Sequence, residues 1–210
     1  MKKIVLFASL VAACSWASAQ GYVGAVAALT RLSDACTDTY RCSGTQAKGF
    51  KVFAGTYLPK GQGLDLVIGQ VNRVEVGAMR FGRVNSRSTT TVPDLDEDFN
   101  PINREVDVTD KVKAEALTVA AVAEFPVLDQ FSLVAKLGVA YVTSTVKFTR
   151  DNQGIGAKSQ NSIRPYAGLG VEVGLPAGIR VMGTADWTRY AVDGRSGSAT
   201  QLGLGASVSF

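Results

Sequence analysis

The stretch Gln201–Phe210, QLGLGASVSF, divides cleanly at a period of two. Leu202, Leu204, Ala206, Val208 and Phe210 fall on one face, and Gln201, Gly203, Gly205, Ser207 and Ser209 on the other. That period is the pleat of a β-strand with one apolar face and one small, polar face. The alternation runs up to an aromatic residue, at a position where chains fray unless something ties them down. A strand that holds at Phe210 therefore needs a partner, and the rest of the sequence has to supply it.

Seven earlier segments repeat the pattern: 21–29, 50–58, 63–70, 116–125, 131–141, 162–173 and 178–187. Glycine recurs through them and the apolar residues keep a period of two, which argues against long helices. Three connections are short and each carries a proline: LPKGQG (58–63), FPVLDQF (125–131) and LPAGI (175–179). This is hairpin chemistry. Longer polar links, 30–48, 71–113, 144–161 and 191–199, alternate with them. In an up-and-down array all short turns then lie at one end and all long loops at the other. Transmembrane β-barrels have that asymmetry.

The other end of the sequence, MKKIVLFASLVAACSWASAQ, reads as a secretory signal peptide. Lys2 and Lys3 precede an apolar run, and Ala17-Ser18-Ala19 offers a small-residue cleavage site between Ala19 and Gln20. An alternative is lipoprotein processing at Cys14, within Val11-Ala12-Ala13-Cys14. The expected division is a cleaved segment 1–19 and one domain over 20–210. Net charge, +4 for the whole sequence, falls to +2 without Lys2 and Lys3, too weak for a nucleic-acid footprint. Cys36 and Cys42 either close a small disulfide loop in an exported protein or remain thiols. The sequence contains no histidine, which removes Ser-His-Asp and Cys-His catalysis and most zinc sites. No catalytic, metal or cofactor-binding set is expected.

Every charge in the strand cores lies on the glycine-bearing face: Lys51, Asp65, Glu124, Lys136, Arg164, Glu172, Arg180 and Asp186. The opposite face carries none. A soluble, lipocalin-like barrel would turn the apolar face inward around a cavity; a membrane barrel turns it outward. The export signal favours the second. So do the aromatics, with Phe125, Phe131 and Phe210 beside the short turns and Tyr141 and Trp187 toward the long links. Closing such a barrel pairs the last strand with the first, which would hold Phe210 in place.

The layout resembles the OmpA-type (OmpA/OmpX-like) eight-stranded outer-membrane barrel across the whole mature chain. GYVGAVAAL, FKVFAGTYLPKGQGLDL, KVKAEALTVAAVAEFPVLDQFSLVAKLGVAYV, RPYAGLGVEVGL and the terminal Phe carry the resemblance. It implies an all-β, antiparallel up-and-down transmembrane barrel in the Gram-negative outer membrane, among phospholipid and lipopolysaccharide. It also implies that the last strand, through Gly205, Val208 and Phe210, is read by the outer-membrane assembly machinery; Gly203 stands where that signal has a polar residue. Finally it implies an internal salt-bridge cluster, with Asp65, Lys136 and Glu172 at matching positions.

Eight strands leave an interior just wide enough to fill with side chains. The charges inside then have to be paired or hydrated, as a plug or as a gated ion path. The acids Asp94, Asp96, Glu97 and Asp98 lack the glycine and distal glutamate of an EF-hand and read as a solvated loop. Arg73, Arg80, Arg83 and Arg87 make 72–91 basic, either as a mixed-charge strand extension or as a contact for lipopolysaccharide phosphates. The function expected is non-enzymatic: envelope integrity, or contact with an unknown surface ligand through the loops. A narrow or gated channel and a soluble ligand-binding barrel are the alternatives.

Overall fold

The computed structural model describes residues 20–33, 46–59, 63–66, 69–95, 101–150, 153–192 and 195–210. Side chains are described for these outside 64–66, 69, 85–95, 101–110, 148–150, 153–155, 192 and 195. The signal segment with Cys14 and Ala19, the cysteines Cys36 and Cys42, Arg87 and the acidic run 94–98 lie outside the described residues or side chains.

Among the described residues nine strands follow in chain order: β1 (Gly21–Leu32), β2 (Gln46–Tyr57), β3 (Leu64–Leu66), β4 (Gly69–Leu95), β5 (Pro101–Leu128), β6 (Phe131–Arg150), β7 (Gln153–Gly174), β8 (Ile179–Val192) and β9 (Arg195–Ser209). Eight of them close a ring of antiparallel neighbours, β1–β2–β4–β5–β6–β7–β8–β9 and back to β1. The final strand lies along the first from Tyr22↔Ser209 to Leu32↔Ala199. Phe210 is tied at both backbone groups: its N–H donates to the Gly21 carbonyl at 2.9 Å, and Gly21 N–H donates to the Phe210 carbonyl at 3.1 Å. This is the partner that QLGLGASVSF requires.

Two expectations change. The segment 63–70 is not the third strand of the ring; β3 is a three-residue flap paired only to the foot of β4. The ring strand is β4, read in the sequence as part of a polar link. Likewise the described residues of 71–113, 144–161 and 191–199 are strand rather than loop, paired as far as Leu95↔Pro101, Arg150↔Gln153 and Val192↔Arg195. The cause is a change of solvent. Along β5, Leu117 and Val119 point out and are exposed, with Thr118 and Ala120 buried inside. One turn of the pleat higher, Lys113 and Glu115 point out, with Val112, Ala114 and Ala116 buried inside. Within the bilayer a barrel is apolar outside; above it, in water, it is apolar inside like any soluble sheet. Polarity inverts while the pairing continues, so a polar composition there does not mark a loop.

The inversion fixes the upper edge of the lipid-facing band on several strands, at Leu29/Arg31, Phe50/Lys48, Ala78/Arg80, Leu117/Glu115 and Trp187/Arg189. Phe125, Phe131 and Phe210 lie at the lower edge. The run from Ala116 to Phe125, at roughly 3.3 Å per residue and a strand tilt near 40°, spans about 23 Å, close to the height of an outer-membrane apolar band. Within it Ile163 is 74% and Leu204 75% exposed.

Candidate functional site, a charged interior beneath an apolar lid

Inside the ring, charged side chains gather in two neutral groups. In the upper group Lys51 Nζ lies 3.0 Å from Glu75 Oε1 and 3.2 Å from Asp186 Oδ1, and donates to Tyr166 Oη at 2.8 Å. Lys136 Nζ lies 2.6 Å from Glu75 Oε2, and the Tyr166 hydroxyl donates to Asp186. In the lower group Arg73 lies 3.1 Å from Glu172 through Nη1 and 3.4 Å from Glu124 through Nη2. Arg180 Nη1 contacts the same two carboxylates, Glu172 at 3.1 Å and Glu124 at 3.2 Å. Each group holds two cations and two anions.

Aromatic rings pack between the groups. Lys51 and Lys136 face the Phe53 ring at 5.5 Å and 5.1 Å, and Arg73 faces Tyr22 and Tyr57 at 5.6 Å and 5.7 Å. Cation–π attraction is strongest where water is excluded. Lys51 is fully buried and Arg73 is 2% exposed, so these ions rely on their partners rather than on solvent. Arg180 is more open and borders a cavity of about 490 Å³ at the short-turn end, which Glu124, Glu172 and Asp129 also line.

Above the ions the lumen is filled mainly by Leu32, Met79, Phe81, Val84, Val112, Val142, Val146 and Tyr190, all buried in one cluster, with the buried polar side chains Thr30, Ser144, Thr188 and Gln201 at the same level. Gly82, with φ of +77°, forms a bulge between Arg80 and Arg83. The extra residue keeps Phe81 and Val84 inside and turns Arg83 out. Glycine reaches this φ without strain.

Of the interior charges expected from the sequence, the network includes Lys51, Glu124, Lys136, Glu172, Arg180 and Asp186. Asp65 belongs to the β3 flap, paired to the foot of β4, and its side chain lies outside those described. Arg164 is not brought into the network; its guanidinium donates to Ser162 Oγ at 3.2 Å near the upper rim. The members missed are Arg73 and Glu75. Their signal was present, since VNRVEVGAM alternates Arg73, Glu75, Gly77 and Met79 against Val74, Val76 and Ala78. Taking 63–70 as the strand used up the position they belong to. Removing one of the two carboxylates that Arg73 and Arg180 share, Glu172→Ala, is expected to lower the thermal unfolding midpoint in detergent, read as loss of the compact band in unboiled gel samples. An unchanged midpoint would mean the lower group contributes nothing.

A closed ring with an apolar exterior, a paired-ion interior and tall hairpins at one end defines an integral outer-membrane β-barrel. The chain matches the OmpA-like transmembrane domain over residues 17–195 and belongs to that family. Among solved structures it is similar to Ail, the attachment invasion locus protein of Yersinia pestis, at 14% identity and TM-score 0.50, over 92% of this chain and 100% of Ail. Neisserial surface protein A shares 13% identity at TM-score 0.46, over 90% of this chain and 97% of that one. The protease OmpT of Escherichia coli shares 10% at TM-score 0.44, over 91% and 93%. Among curated protein sequences none matches significantly. Identities this low speak to fold alone.

Proposed function

We propose that this barrel is a closed, non-enzymatic envelope protein that stiffens the outer membrane and presents its tall β4–β5 and β6–β7 hairpins as a contact surface. The carrying observation is the stacking order inside the ring: neutral ion groups below, a packed and mainly apolar layer above. An ion crossing the lumen would have to break buried pairs and then traverse apolar packing, both costly. The absence of histidine supports the non-enzymatic part, since it removes the commonest general base. Disulfide closure at Cys36 and Cys42, and use of Gly205, Val208 and Phe210 as an assembly signal, belong to the same proposal.

The purified barrel in a planar lipid bilayer is expected to show no resolvable single-channel steps. Steady steps would favour the gated-channel reading, which the charged interior alone would allow. A strain lacking the protein should leak small detergents. Rescue by a variant with 85–111 replaced by a short turn would assign the work to the barrel, and failure of rescue by a heat-modifiable variant would assign it to the hairpins.

A further inference from the structure

We infer that the chamber at the short-turn end of the barrel binds a small basic amino acid, or a peptide end of that kind. Arg180 takes its carboxylate and Asp129 an ammonium. The inference does not rest on the structural role proposed above. In an outer-membrane barrel the short turns face the periplasm, so the ligand comes from that side. The chamber has a volume of about 490 Å³, and Tyr57, Glu124, Asp129, Gln130, Glu172 and Arg180 contribute to its lining. Behind the two glutamates lies Arg73, 2% exposed, which pairs with both of them. The chamber is therefore blind, reached from the turns and closed above by the buried ion layer.

Its charges are not all used within the protein. Arg180 donates to Glu124 at 3.2 Å and to Glu172 at 3.1 Å, both through Nη1. Among the described residues its Nε and Nη2 make no hydrogen bond. That edge of a guanidinium is a fork that grips a carboxylate bidentately, and the side chain is 27% exposed. Asp129 stands exposed on the turn between β5 and β6. Among the described residues no ion pair or hydrogen bond holds its carboxylate. The turn itself is fixed, since Gly174 N–H donates to the Gln130 carbonyl at 2.8 Å and ties it to the foot of β7. Asp129 is thus in place before a ligand arrives, which keeps the ordering cost of binding low. Tyr57 adds an apolar wall for a methylene chain, its ring 5.7 Å from the Arg180 guanidinium. The charge balance then selects the ligand. Arg73 and Arg180 offset Glu124 and Glu172, so Asp129 leaves the chamber one negative charge in excess. A molecule with one carboxylate and two ammonium groups balances it, and a dicarboxylate does not.

The test titrates the isotope-labelled full barrel in detergent micelles with L-lysine, with cadaverine, which lacks the carboxylate, and with hexanoate, which lacks both ammonium groups. Amide resonances of Asp129, Gln130 and Gly174 are followed by NMR. L-Lysine should shift them saturably, and each of the other two should bind roughly tenfold more weakly, the scale of one lost charged hydrogen bond. The variant D129N should lose roughly tenfold in affinity for L-lysine and cadaverine, with hexanoate binding no weaker than to wild type. Shifts that never saturate with L-lysine would overturn the inference, as would a heat-modifiable D129N barrel that binds L-lysine as wild type does. Cadaverine binding as tightly as L-lysine would remove Arg180 from the site and overturn the paired-charge assignment. Should D129N fail to fold, the three probes on wild type decide by themselves.

Discussion

Replacing Glu75 with alanine is expected to destabilise the barrel by about 3–5 kcal/mol, the usual cost of removing one partner from a buried ion pair. Glu75 is the bridge of the upper group, with one carboxylate oxygen on Lys51 and the other on Lys136. Lys51 is fully buried and Lys136 3% exposed, so neither ammonium can recover hydration when the carboxylate goes. Lys51 would keep Asp186, 3.2 Å away; Lys136 would lose the contact that balances it. Urea unfolding of the barrel in detergent micelles, followed by tryptophan fluorescence, checks the size of the effect. The double variant Glu75→Leu/Lys136→Met separates charge imbalance from lost packing. It leaves Lys51 and Asp186 as a neutral pair and should recover most of the loss, because apolar replacement of a buried ion pair is often neutral or stabilising. A double variant as unstable as Glu75→Ala would show that shape, not charge balance, dominates here.

The second large effect is expected at Arg73. Arg73→Met keeps much of the side-chain volume, yet leaves Glu124 and Glu172 with Arg180 as their only cation in the lower group. It also removes the guanidinium from the Tyr22 and Tyr57 rings. A loss of about 3–5 kcal/mol in the same urea experiment is expected. Arg180→Met serves as the comparison. Arg180 is 27% exposed on its side chain and borders the water-accessible cavity, so its two carboxylates can partly rehydrate. Its loss should cost about 1–2 kcal/mol, the scale of one charged hydrogen bond near solvent. Equal costs at the two arginines would mean that the lower group is wet throughout, and the closed-barrel reading would weaken with it.

Much of this architecture was legible because a barrel strand repeats its environment every second residue. QLGLGASVSF and KLGVAYV show their faces without any knowledge of their neighbours, and three proline-bearing turns give the chain direction. Legibility failed where the solvent changed. Above Glu115 the outward face turns from lipid to water, so Lys111, Lys113 and Lys147 stand where leucine or valine would stand lower down. A reading tuned to apolar-out strands ends there. It also failed at β4, where Arg73 and Glu75 are set among valines in an alternation that was readable but assigned to a link.

The sequence by itself determined the strand period, which residues share a face, and the lack of imidazole chemistry, because each is a local or compositional property. Only the tertiary structure decided which charges share the interior. Arg73, Glu124, Glu172 and Arg180 come from four strands, and whether they meet depends on the register around the closed ring, which no single strand encodes. The same holds for the outer rim: Arg31, Lys48, Arg80, Arg83 and Lys113 are scattered from 31 to 113 in sequence, and become one positive patch because β1, β2, β4 and β5 are hydrogen-bonded neighbours.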